Sequence, residues 1–264
     1  GRFRLLFTLL GELKDDDAYV AVVDALGEAL TASQSGSSLR LRVLAALYNV
    51  VAARGHAKVW VLRRVIAFAA STGQAAELHS FLSSPDSLEA ALHRWGEDEV
   101  MVQSVLASVS IALSSSDASL AQAYRMRYLR LVEKRRGEGG GEGGDGKEEE
   151  VEVAAAAALH YIRFPMASQH QELPTLSTIK DLAAHPAHAN THNLLTIFAS
   201  GSVQDLQAFE EEHGDWMEAN DVDRKTAART MRLLTLASTA ATAASSPSHS
   251  PIIDYPTIAK AIDV

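Results

Sequence analysis

The chain has 264 residues, no cysteine, 33 acidic against 24 basic side chains and a net charge of -9, with 47% hydrophobic and only 6% aromatic residues. A chain of this size buries about three quarters of its unfolded surface, so it needs no staple, and the missing thiols exclude disulfides and Cys-ligated zinc. The acidic balance opposes general attraction to nucleic acid, and no apolar run approaches the roughly 20 residues of a membrane span, so any RNA contact is expected to be local. Alanine and leucine dominate and no alternating run of strand length occurs outside the tail, so the expected class is all-α.

In chain order, residues 2–14 carry Phe3, Leu5, Leu6, Leu9, Leu10 and Leu13 at helical spacing, and residues 18–32 repeat the pattern with Val22, Val23, Leu26 and Leu30. The acidic turn Asp15-Asp16-Asp17 joins them, with Asp17 placed to cap the second helix. It lacks the glycine and distal glutamate of a calcium loop. After a turn at 35–38, a helix over 39–53 puts Val43, Leu44, Leu47, Val50 and Val51 on one face and ends at Gly55. The next, over 58–71, buries Val59, Leu62, Val65, Ile66 and Ala69 and stops at Gly73. Both glycines stand where a left-handed helix cap is wanted. Helices of this length joined by short turns pack antiparallel, which predicts a stacked helical-repeat array.

Segments 77–82 and 87–95 form another pair around Pro85, with Leu88, Leu92 and Trp95 as apolar face, and helices over 100–113 and 120–132 continue the array. The last carries Arg125, Arg127, Arg130, Lys134, Arg135 and Arg136, the only dense basic patch and the candidate RNA contact. These side chains are spread around the helix, and a solvated helix with a basic C-terminal end is the plainer reading. Residues 137–150 read GEGGGEGGDGKEEE, which has nothing to bury and is expected to be a flexible loop inserted between helices. The helical pattern resumes with an alanine-rich segment over 151–162. Short helices follow over 176–182 and 191–199, the latter with Thr191 as N-cap, Leu194, Leu195 and Phe198 inside and Gly201 as terminator. Ser202 and Asp205 then open a helix bearing Val203, Leu206 and Phe209 in capping-box fashion.

The tail predicts a helix over 224–244 whose stripe of Ala227, Met231, Leu234, Ala237 and Ser238, widened by Leu233 and Leu236, must be buried. Ser246-Pro247 breaks it, Ile252-Ile253-Asp254 favour a strand, and Pro256 starts a short helix carrying Ile258, Ala259 and Ile262. Helix, strand, helix is how a winged helix begins. The pattern stops halfway through such a domain and the chain opens on Gly1, so it reads as part of a longer protein. The organisation expected is an array over 1–136, the insert over 137–150, more array over 151–223 and a truncated winged helix over 224–264, in one hook-shaped body.

Nothing in the pattern points to catalysis. His185, His188 and His192 are interrupted by Pro186 and lack a fourth ligand, so they read as a polar loop and not as zinc ligands. There is no nucleophile elbow, and no GxGxxG or phosphate-cradling glycine loop after a strand. Glu210, Glu211, Glu212 and Asp215 read as solvated acids. Tyr161, Phe164, Phe198, Phe209, Trp60 and Trp95 sit at core spacings. No catalytic residue, cofactor, metal or small-molecule substrate is expected, and an enzyme is not.

LRLRVLAALYNVV (39–51), AFAASTG (67–73), HNLLTIFASGSVQDLQAF (192–209), TMRLLTLAS (230–238) and IDYPTIAKAIDV (253–264) resemble, in order, the M-subunit family of eukaryotic translation initiation factor 3, a PCI-domain family. The glycine/glutamate insert departs from that pattern. The resemblance implies stacked helices ending in a winged helix, and a cytoplasmic scaffold among the other PCI and MPN subunits of a complex that binds the 40S ribosomal subunit. It would make Ile252, Ile253 and Asp254 the first strand of a small sheet able to meet a partner. The tail alone is also similar to subunit 7 of the COP9 signalosome, so a PCI scaffold of that complex or of the proteasome lid is the second reading, and a winged-helix nucleic-acid binder the third.

Overall fold

A computed structural model describes residues 8–52, 54, 56–139, 147–164 and 172–245, with the side chains of 242–245 excepted. Among them all regular structure is helical, so the all-α expectation holds. After a helical turn at residues 8–12 come α1 (Asp16–Thr31), α2 (Ser37–Val50), α3 (Ala57–Ser71), a 3₁₀ turn (Ala75–Leu78), α4 (Pro85–Arg94), α5 (Glu99–Leu113) and α6 (Ala118–Gly137). Then follow α7 (Lys147–Arg163), α8 (Ser177–Asp181) between 3₁₀ turns at Leu173–Thr175 and Leu182–Ala184, α9 (Ala189–Ser200), α10 (Val203–Ala219) and α11 (Arg224–Ser245). Contacts divide the chain into two compact units, 1–132 and 133–264, with the division falling inside α6. The strand and short helix expected after residue 251 lie outside the described residues.

The first unit is built around α3, which packs against α1, α2 and α5. The predicted stripe of Val59, Leu62, Val65, Ile66 and Ala69 is buried throughout, and Val61 and Phe68 join it because a helix with neighbours on several sides needs more than one apolar face. Asp15, not Asp17, caps α1. Its backbone is extended and its carboxylate accepts from the amides of Asp17 (2.9 Å) and Ala18 (3.0 Å). With three successive aspartates, the register of the cap was not decidable from residue type. Asp16 is then left to pair with Arg54, whose guanidinium also donates to the Leu13 and Lys14 carbonyls and lies over the Tyr19 ring.

Gly73 adopts the left-handed conformation expected of it (φ 69°); Gly55 lies outside the described residues, and at that junction His56 (φ 64°) precedes α3. The helix expected over 77–82 shrinks to the 3₁₀ turn, and α4 begins at Pro85 itself, where a missing amide costs nothing, with Ser84 as its side-chain cap. Of the aromatic residues assigned to the core, Phe198 and Phe209 are buried and Tyr161 and Trp95 half-buried, whereas Trp60 and Phe164 are 37% and 49% exposed. Helical spacing gives the face of a helix but not how far a neighbour covers it.

In the second unit α7 packs against α8 and α9, α9 against α10, and α10 against α11. Val153, Ala154, Ala155, Ala157 and Ala158 are buried, their small side chains allowing close approach. The insert is shorter than expected: α6 runs to Gly137 and Lys147-Glu148-Glu149-Glu150 already form the first turn of α7, where carboxylates suit the positive end of the helix. Residues 140–146 lie outside the described residues. Thr191 is not an N-cap; α9 starts two residues earlier, at Ala189, and Thr191 is buried within it.

The boundary after α9 matches expectation. A Cβ on Gly201 would sit 2.8 Å from both the Cα and the carbonyl oxygen of Ile197, so a side chain there collides with backbone. Ser202 Oγ accepts from the Asp205 amide and Asp205 Oδ2 from the Ser202 amide, completing the capping box. Ser202→Ala is expected to lower stability by about 1 kcal/mol, and Gly201→Ala by roughly 1 to 3 kcal/mol through overpacking. Urea midpoints of the two variants check both values.

The face of α11 narrows sooner than its stripe suggests. Ala227, Thr230 and Met231 are buried, Leu234 and Leu236 half-buried, Leu233 43% exposed, and Ala237 and Ser238 exposed. Leu234→Ala is therefore expected to cost about 1 kcal/mol by thermal unfolding, the cost of a part-exposed leucine, and not the larger loss of a sealed one.

Candidate functional site

The basic helix α6 was the sequence's candidate RNA contact. In the first unit Arg125 is 7% exposed and donates to Ser114 Oγ at 2.6 Å. Arg127 donates to both carboxylate oxygens of the buried Glu89 through its Nε and Nη2 and lies 3.5 Å from Asp86; hydrogen bonding to Glu89 raises its pKa further above the ordinary arginine value. In the second unit Arg135 pairs with Glu150. Arg136 donates to the same carboxylate at 2.8 Å, to Asp181 Oδ2 at 2.7 Å and to Ser177 Oγ at 2.9 Å. Ser177 Oγ in turn donates to Glu133, which also accepts from the Thr178 amide at 3.1 Å and so serves as an external cap for α8. Arg130 and Lys134 lie on the exposed side of the helix.

At least four of the six basic residues are thus committed to partners within their own unit. Their electrostatic work is to offset Glu89, Asp86, Glu150 and Asp181, and the cationic surface a phosphate backbone would meet is correspondingly small. The sequence showed the cations but not their partners. Glu150 stood in a run assigned to a loop, and Glu89 lies 38 positions before Arg127.

The histidines are not gathered. His185 is exposed, His188 Nε2 lies 3.4 Å from Glu152, and His192 lies on the wall of a groove. Among the described residues no three His, Asp or Glu side chains sit so as to hold a metal ion. Ile252, Ile253 and Asp254 lie outside the described residues.

That groove, between α9 and α10, is the concavity that sequence reading missed. It holds about 500 Å³ and is lined by Ile197, Ala208 and Phe209, with Thr196 and Ser200 on the α9 side and Asp205, Glu212 and His213 on the α10 side. Phe209 is braced edge-to-face by Trp216 (centroids 6.0 Å apart) and lies 4.8 Å from the His213 ring. His213 leaves helical geometry (φ -123°, ψ 26°) and kinks α10 at the end of the groove. Helical spacing alone does not give such a kink.

Helices that spend their apolar faces on one another, with charged side chains bridging between them, define an all-α helical-repeat protein. No family model matches the chain. It is similar to "Eukaryotic translation initiation factor 3 subunit M" of Phaeosphaeria nodorum, at 26% identity over 99% of this chain and 56% of the relative, and to the subunit of the same name of Pyricularia oryzae, at 26% over 100% and 59%. A third relative of that name, from Chaetomium globosum, is 36% identical over 39% of this chain and 22% of its own length. The resemblance carried by the sequence motifs is borne out, and the chain spans about half the length of the curated relatives it matches from end to end.

Proposed function

We propose that the chain is a non-catalytic scaffold subunit of eukaryotic translation initiation factor 3 and acts in initiation of protein synthesis. The observation that carries this reading is the end-to-end likeness to two chains named subunit M. The helical array fits it, because stacked helices present long surfaces to neighbours without needing a pocket. On this reading the partners are other PCI and MPN subunits, the 40S ribosomal subunit is reached through the complex, and the compartment is the cytoplasm. No helix of the described residues is long and apolar enough to cross a membrane. The array over 1–136 and 151–223, linked by the insert, carries the assembly surfaces; 224–264 begins the winged helix, with Ile252, Ile253 and Asp254 as its partner-facing strand.

Affinity capture of the tagged protein from cell extract tests this. Recovery of initiation factor 3 subunits with 40S proteins supports it. Recovery of cullin-regulating subunits instead would move the chain to the COP9 signalosome.

A further inference from the structure

We propose that the groove between α9 and α10 docks a basic segment of a partner protein, with arginine or lysine stems lying along its apolar wall and their heads reaching its acidic rim. This holds whichever complex the chain assembles into. The distribution of charge is the first ground. Residues 181 to 223 contain nine Asp and Glu and no Lys or Arg, and the remainder of the chain holds 24 acidic and 24 basic residues. The whole net charge of the protein thus comes from one stretch of 43 residues, and that stretch builds both sides of the groove.

The second ground is shape and chemistry. Ile197, Ala208 and Phe209 make an apolar wall suited to a methylene stem, beside the carboxylates of Asp205 and Glu212. In contrast to the acids facing α6, Asp205 and Glu212 have no arginine or lysine ion-pair partner among the described residues, although Arg224 lies against α10 at Gly214 and acts on Glu210. Among the described residues no Lys or Arg comes within ion-pair distance of Asp205, Glu211, Glu212 or Asp215, and the neighbour of Glu212 is His213 Nε2 at 3.7 Å. Asp205 is held in its charged form by the hydrogen bonds from Ser202, which push its pKa below the ordinary carboxylate value. His192 Nδ1, on the same wall, is shielded from solvent without a protein hydrogen-bond partner. A nucleic acid is repelled by this potential, whereas a basic polypeptide is drawn to it.

Fluorescence anisotropy of the full 264-residue chain with a labelled Arg-Ala repeat peptide tests the proposal. Saturable, salt-sensitive binding is expected. Glu212→Lys and Ala208→Trp, the second of which fills the groove without changing charge, should each weaken it about tenfold, while Glu218→Lys, the same charge step outside the groove, should change it less than about twofold. Circular dichroism of each variant confirms folding. Equal weakening by Glu212→Lys and Glu218→Lys, insensitivity to Ala208→Trp, or no saturable binding at low salt would overturn it. So would a labelled RNA oligomer competing for the same groove.

Discussion

Leu62→Ala is expected to destabilise the first unit by about 3 to 4 kcal/mol, among the larger losses a single truncation can cause here. Leu62 is 1% exposed on α3, which is packed against α1, α2 and α5. Deleting its isobutyl group removes the transfer energy of the lost atoms and leaves a cavity. Helices held from several sides cannot close that cavity without opening a gap elsewhere. Urea unfolding followed by circular dichroism measures the loss, and a change below about 1 kcal/mol would show α3 is not the centre of this unit.

Glu150→Ala is expected to cost the second unit roughly 2 to 4 kcal/mol, through charge and not volume. The Glu150 side chain is 6% exposed and is shared by Arg135 and Arg136, which are 31% and 32% exposed. Removing it takes the shared carboxylate from both guanidiniums, of which Arg136 keeps Asp181 and Ser177. The double variant Glu150→Met with Arg135→Met should recover part of that cost, since an apolar pair leaves no carboxylate or guanidinium in need of this partner. No recovery in the double variant would mean that Glu150 acts through the start of α7 and not through the ion pair.

How far the sequence could be read follows from what each residue type encodes. The stripe of α3, the capping box at Ser202 and Asp205 and the stop at Gly201 are local patterns, and local patterns are legible in a single chain. The cap of α1 was ambiguous because three aspartates compete for one place. The start of α7 was missed for a different reason. KEEE reads as an extension of a glycine-rich loop until Arg135 and Arg136 are found beside Glu150, fifteen and fourteen positions away. Exposure of Trp60, Phe164 and Leu233 was invisible since periodicity gives direction without coverage. As for the groove, its charge was countable in the sequence, yet its walls depend on α9 packing against α10 and on the kink at His213.

Native mass spectrometry of the intact assembly purified through this protein tests the central claim most directly. The account predicts one copy of the chain in a multisubunit particle whose other masses are initiation factor 3 subunits. A free monomer, a homo-oligomer, or a particle made of unrelated subunits would contradict it.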